Sequence, residues 1–284
     1  MGKPFFSIVI PTLNEEKYVP VLLETIAVQR FKSYEVFVID GGSTDKTIAK
    51  VRQFEEKIPL HLVYADKKNV GYQRNMGGKE AKGTYLIFLD ADAFLSKGFL
   101  SKLSKKLQAD NPPLATTLYL PDSEKPYDEF YVFLINLGIE IARYIEHPQA
   151  LGVSLVIKRT VFNTLGGFGE KIKMAEDHEL VQRAHKEGYD IAIYKDPRVH
   201  LSLRRVRAEG ALTMAMRYTY AYFYCTFKGP ITKELFPYEM GGQLYSTRVK
   251  KDFLKIPKAS FDDIYRLARD NKVIEKMRDQ FRNL

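Results

Sequence analysis

The sequence predicts an α/β fold with a mostly parallel central sheet flanked by helices. Short β-rich runs alternate with helical stretches through the first half of the chain. The runs are too uniformly apolar for strands with one wet face, and turn-forming or polar residues follow them.

The elements follow in order. Runs at residues 5–10, 35–39, 61–64 and 85–89 have strand length and no apolar–polar alternation, so each is expected to be covered on both faces. Helical patterns at 18–29, 46–56, 72–81 and 98–108 lie between and after them, as right-handed crossovers require. A strand at 115–120 continues the alternation, after which the pattern changes. Residues 130–144 are apolar around most of a helix circumference. A strand-like run follows at 152–157, then a helix at 176–186, a strand at 191–194, an aromatic-rich helix at 210–227 and a final helix at 261–281. No repeat or low-complexity segment interrupts this order. Residues 1–229 read as one domain, divided near residue 110, and residues 230–284 as a basic, helical C-terminal tail.

Composition excludes several classes. With 45% apolar and 28% charged residues the chain is neither collagen-like nor disordered. The single cysteine, Cys225, cannot form an internal disulfide, which favours a reducing compartment. The start Met-Gly-Lys-Pro carries no secretory pattern, so a cytoplasmic location is expected. The net charge of +9 is polarised: Lys and Arg equal Asp and Glu at 26 each through residue 196, but stand 18 to 9 afterwards. Such a tail suits anionic lipid or a phosphorylated substrate, and no zinc-finger or RNA-binding signature accompanies it, so no nucleic-acid partner is expected. No apolar run is long enough to span a membrane. Residues 210–227, rich in Tyr and Phe and flanked by Arg204, Arg205, Arg207 and Lys228, read either as a core helix or as a helix lying in a lipid interface.

In parallel α/β sheets ligands bind beyond the carboxyl ends of the strands. Here those ends carry Pro11-Thr12-Leu13-Asn14-Glu15, Asp40-Gly41-Gly42-Ser43-Thr44-Asp45 and Asp90-Ala91-Asp92. Glu15, Asp40, Asp90 and Asp92 would therefore line one edge, where clustered carboxylates call for a cation; all-oxygen ligation suits Mg²⁺ or Mn²⁺. Ser43, Thr44 and Asp45 read as helix N-caps, while Asp40 would be free to accept from a base or ribose. Arg74 and Asn75 near a helix start offer planar donors for a base or an anion. Glu176 and Asp177 open a helix, where they complement its dipole or supply a general base. His178 and His185 are too far apart on a helix for a metal pair, and His185 reads as structural or exposed. His200 follows a strand and could complete a metal sphere, with Arg204 and Arg205 behind it to neutralise a diphosphate. The fingerprints of dinucleotide folds and P-loops are absent.

In this order, SIVIPTLNEE (7–16), VIDGGSTDKT (38–47), NVGYQRNMGG (69–78), YLIFLDADA (85–93), GGFGEKIKMAEDHEL (166–180) and HLSLRR (200–205) resemble the family 2 glycosyltransferases. The resemblance implies the GT-A fold, a Rossmann-like sheet, with a nucleotide-binding half at 1–110 and an acceptor-side half at 111–229. It implies an inverting transfer from a UDP- or GDP-sugar to a hydroxyl or phosphate acceptor, on a glycan or a polyprenyl-phosphate-linked glycan at the inner face of the cell membrane. By position, Pro11, Thr12, Glu15, Asp40, Arg74 and Asp90 would hold the donor. Asp92, Asp90 and His200 would hold the metal, Asp177 would be the base and Glu176 its orienting neighbour. A homodimer and an anionic membrane surface are further partners to test. Two departures stand out: the usual Asp-Asp-Gly-Ser turn is Asp40-Gly41-Gly42-Ser43, and no Q-x-x-R-W follows the Asp177 helix, which argues against processive synthases. A non-catalytic sugar-nucleotide binding protein is the rival reading. A nucleotidyltransferase is disfavoured, because Asn14-Glu15-Glu16 stands where a glycine-rich basic loop would be needed.

Overall fold

A computed structural model describes residues 2–236 and 241–242. The expected helix at 261–281 lies outside them. The elements run β1 (Phe6–Thr12), α1 (Val19–Ala27), β2 (Tyr34–Asp40), α2 (Thr47–Arg52), β3 (Leu60–Tyr64), α3 (Val70–Glu80), β4 (Tyr85–Phe88), β5 (Phe94–Leu95), α4 (Phe99–Asp110), β6 (Leu114–Pro121) and α5 (Pro126–Tyr144). A 3-10 turn (Gly152–Ser154) then leads into β7 (Leu155–Lys158), α6 (Arg159–Leu165), α7 (Glu176–Lys186), β8 (Ile191–Leu201), α8 (Arg204–Glu209) and α9 (Ala211–Lys228).

The sheet has the order β3-β2-β1-β4-β7-β6-β8-β5. Pairs β3–β2, β2–β1, β1–β4 and β6–β8 are parallel, whereas β7 and β5 pair antiparallel to their neighbours, so the sheet is mixed. The parallel register aligns Thr12 with Asp40, and β4 ends beside them, which brings the polar segments after β1, β2 and β4 to one edge as expected.

Alternation across β1 and β4 feeds two cores. Phe6, Ile8, Ile10, Tyr85 and Ile87 face α1, α4 and α5, while Val9, Leu86 and Phe88 face α6 and α7. β1, β2 and β4 are buried along their whole length. β3 departs from the expectation: it is the edge strand, with Tyr64 55% exposed, because a strand without an outer neighbour is only half covered. Helix α3 lies tight on the sheet, since a Cβ on Gly77 would stand 2.5 Å from Val9 Cγ1.

Helix α9 bears on the alternative left open by the sequence for residues 210–227. Thr213, Met214, Ala221 and Cys225 are buried, and Phe223 and Phe227 pack with Ile145, so one face of α9 packs on the domain, while Leu212 and Tyr218 on the helix stay exposed. Past residue 229 the chain still touches the domain: Ile231 bridges to Met174, and Gly242 N–H donates to Leu13 O at 3.0 Å. Among the described residues no helix is long and apolar enough to cross a membrane.

Candidate active site

Two loops close the donor side. Asn14, at φ +53°, receives Thr44 N–H on its Oδ1 at 2.7 Å, and its own N–H donates to Ser43 Oγ at 2.8 Å. Glu15 N–H donates to Thr47 Oγ1, and Glu16 N–H to Asp45 Oδ2. Ser43 and Thr44 thus stitch the segment after β2 to the one after β1 instead of capping α2; Asp45 alone meets the helix start, accepting Thr47 N–H at 2.9 Å. Buried Gln73, which the sequence did not single out, ties both strands by donating to Thr12 O (3.0 Å) and Ile39 O (2.7 Å).

Asp40 is already hydrogen-bonded within the protein. It is 2% exposed; Oδ2 accepts Gly42 N–H (3.0 Å) and Ser43 N–H (2.9 Å), and Oδ1 accepts Thr12 Oγ1–H (3.2 Å) and Ser43 Oγ–H (2.5 Å). With a glycine as the next residue, this carboxylate forms the turn itself. Pro11 and Thr12 are buried beside it. Asn75, expected to offer its amide to a base, instead clamps Phe168: Nδ2 donates to Phe168 O (2.9 Å) and Oδ1 accepts Phe168 N–H (2.8 Å).

The cations among the edge carboxylates are two arginines. Arg204 grips Glu15 with two parallel bonds (Nη1 to Oε2, 2.8 Å; Nη2 to Oε1, 2.7 Å), pairs through Nε with Asp92 Oδ2 (2.8 Å) and lies over the Tyr18 ring. This fork geometry is what guanidinium supplies and ammonium does not. Burial pushes Glu15 up to about 7 despite Arg204, and raises Asp92 likewise. Glu15 therefore anchors Arg204 in this structure. Arg205 pairs at 3.9 Å with Glu209 on its own helix.

Arg74, expected at the base or ribose, is 2% exposed and lies beneath the site. Nη2 donates to Asp90 Oδ1 (2.7 Å) and Nη1 to Glu176 Oε1 (2.5 Å), bracing the end of β4 to the start of α7. Gly152 makes room for it, because a Cβ there would run into the guanidinium. Beside this brace Asp177 is held by two backbone donors, Gly152 N–H on Oδ2 (2.5 Å) and His178 N–H on Oδ1 (2.7 Å). Burial, reinforced by the Glu176 charge and opposed by Arg74, lifts Asp177 to about 7. Glu176 thus acts on Asp177 through its charge and through Arg74, which it also binds.

Two of the three residues expected at the metal suit a divalent ion. Asp90 and Asp92 are hard oxygen donors, 36% and 17% exposed, on the same edge. They suit a divalent ion whose remaining sites go to phosphate and water. His200 is held elsewhere: β5–β8 pairing stacks its ring on Phe94 (4.2 Å), and Nδ1 meets Pro121 O at 3.0 Å. Among the described residues no three carboxylate, imidazole or thiolate groups are gathered to hold a metal, so His200 is not assembled with the two aspartates.

Comparison with known proteins bears on this geometry. Residues 7–165 match the family model for glycosyl transferase family 2. The chain belongs to that family. It is 38% identical over 187 residues to a PGL/p-HBAD biosynthesis glycosyltransferase of Mycobacterium bovis (strain BCG / Pasteur 1173P2), covering 63% of this chain and 69% of that protein. It is 26% identical over 211 residues to the poly(ribitol-phosphate) beta-N-acetylglucosaminyltransferase TarS of Staphylococcus aureus (strain Mu50), covering 70% of this chain but only 36% of the length of TarS. Two solved structures share the fold. The mannosyltransferase PcManGT from Pyrobaculum calidifontis, in complex with GDP-Man and Mn2+, aligns with TM-score 0.64 and 22% identity over 80% of this chain and 65% of its own. S. aureus TarS 1-349 in complex with UDP-GlcNAc aligns with TM-score 0.59 and 21% identity over 78% and 67%. The family 2 chain accordingly has the GT-A fold. Asp90-Ala91-Asp92 follows β4, and Arg74 links Asp90 to Glu176, the residue before Asp177.

Proposed function

We propose that the chain transfers a sugar, with inversion, from a nucleotide diphosphate sugar to an acceptor hydroxyl or phosphate on a lipid-linked or cell-envelope glycan. The carrying observation is that buried Arg74 braces Asp90, in the partly buried Asp90-Ala91-Asp92 segment, to Glu176, whose neighbour Asp177 is a carboxylate lifted to about 7. Support for the donor class comes from the two solved structures of shared fold, which hold UDP-GlcNAc and GDP-Man.

In this reading Asp177 takes the proton of an acceptor hydroxyl as its oxygen attacks the anomeric carbon from the face opposite the leaving group. The bond from that carbon to the diphosphate breaks, and the electron pair departs with the nucleoside diphosphate. A bound Mn²⁺ or Mg²⁺ would stabilise the negative charge on that diphosphate. Asp90 and Asp92 would hold the ion. Arg204 keeps Asp92 and the loop after β1 in place, Asp40 shapes the wall after β2, and Arg74 fixes the spacing between donor edge and base. A phosphate acceptor is already anionic and would need no proton acceptor.

Thermal unfolding with UDP, GDP, CDP and dTDP, each with and without Mn²⁺, tests the donor site. Ligand at about 100 times its dissociation constant adds about 2.7 kcal/mol of stability. A metal-dependent shift with one nucleotide, absent in Asp92→Ala, is expected. No shift with any nucleotide would refute the reading.

A further inference from the structure

Helix α5 has two apolar faces, and the fold uses one. Val132, Ile139 and Ala142 are buried toward the sheet. At about 100° per residue the opposite side collects Tyr127, Phe130, Phe133, Leu134, Leu137 and Tyr144, and these side chains remain 40–65% exposed. No charged residue occurs between Glu129 and Glu140, and the rings of Phe130 and Phe133 stack at 6.5 Å. Monomeric proteins rarely leave so continuous an apolar stripe in water.

We propose that this face of α5 seats the protein on an anionic lipid bilayer, with the helix lying in the plane of the interface. The composition fits that occupant: Phe and Leu fill the centre of the stripe, while Tyr127 and Tyr144 stand at its two ends, where amphipathic rings meet lipid headgroups. The charge fits as well. On the flank of the stripe Glu140 is neutralised by Lys195 at 3.2 Å, and Arg143 makes no ion pair among the described residues. The chain as a whole carries +9, and residues 243–284 hold 11 Lys and Arg against 6 Asp and Glu. The placement also fits, since the chain leaving α5 reaches Gly152, whose N–H holds Asp177. An acceptor carried by the bilayer would thereby arrive beside the base. That last consequence rests on the proposed transfer; the surface itself does not.

The test is sedimentation of the full chain with vesicles of phosphatidylcholine alone and of phosphatidylcholine mixed with phosphatidylglycerol. The variants are Phe130→Ser/Phe133→Ser/Leu137→Ser and, as a control on α9, Leu212→Ser, which is also highly exposed. Wild type and Leu212→Ser are expected to bind the anionic vesicles, and the triple variant to lose at least about tenfold in partitioning with its melting temperature and nucleotide-induced shift unchanged. Three results would overturn the proposal: no binding of wild type at low salt, binding of the triple variant equal to wild type, or a wild-type dimer that the triple variant converts to monomer without altered vesicle binding. The last would assign the face to a second copy of the chain. Vesicle binding without any nucleotide shift would instead count against the transfer reaction and leave the surface standing.

Discussion

In the proposed transfer Asp177 is the base, and its surroundings make a signed prediction. Its carboxyl is raised because burial and Glu176 both disfavour the charge, while Arg74 favours it. A general base works deprotonated, so kcat/KM should climb with pH through about 7 and level off above. Replacing Glu176 by Gln removes the neighbouring negative charge, and the acid limb should move to lower pH; a limb that stays in place would mean that Asp177 is not the titrating group. Asp177→Asn should lower kcat by about 10²- to 10⁴-fold for a hydroxyl acceptor, with nucleotide-induced stabilisation retained. A rate within a few-fold of wild type would point to an acceptor that is already anionic. Gly152 offers a second test. Gly152→Ala drives a methyl into the Arg74 guanidinium, and overpacking of this kind costs about 1–3 kcal/mol, so the melting temperature should fall along with the rate.

At the scale of elements, α3 organises the donor side from beneath. Gln73, Arg74 and Asn75 are consecutive residues in one helical turn, yet they fasten the ends of β1 and β2, the end of β4 with α7, and the loop at Phe168. Gly77→Ala would push α3 away from Val9 and displace all three; a loss of about 1–3 kcal/mol, measured by urea unfolding, should come with weaker nucleotide binding. The strand ends were legible in the sequence, because fully buried parallel strands advertise themselves as unbroken apolar runs and the carboxylates stand just past them. The longer helices were legible for the same reason. Short elements were not: β5 is two residues long, and α8 is a single polar stretch whose apolar pattern is too brief to read. Nor did the sequence show that β8 continues through the polar Lys195-Asp196 to Leu201, since pairing with β6 on both sides of that stretch and with β5 at its end carries the strand on. Residue types announced a divalent cation among the edge carboxylates, but not that two arginines also reach them. Arg204 reaches Glu15, and Arg74 reaches Glu176, only once the sheet has assembled. Side chains such as Asp40 and Asn75, whose chemistry suits a ligand, are occupied by the backbone next to them for the same reason: local geometry decides their partners, and composition does not record it.

For the whole molecule, the question is whether the chain beyond α9 belongs to the domain. Ile231 is 1% exposed, pairs with Met174, and shares a small core with Ala221 and Cys225. Met174 immediately precedes Ala175 and the Glu176-Asp177 pair, so this contact holds the loop that delivers the base. Ile231→Ala should cost about 2–5 kcal/mol, and the lone cysteine reports on it independently. Burial raises the Cys225 thiol to about 12, which keeps it protonated and unreactive toward a disulfide reagent at neutral pH. Loosening its cover should let it react measurably faster, and the transfer rate should fall more than nucleotide affinity does, because the donor edge lies on other elements. A melting temperature and thiol reactivity equal to wild type would show that the extension is carried by the domain without supporting it. The expected pattern, with base and thiol disturbed together while the donor edge stays intact, would make the first residues of the extension part of the acceptor side of the enzyme.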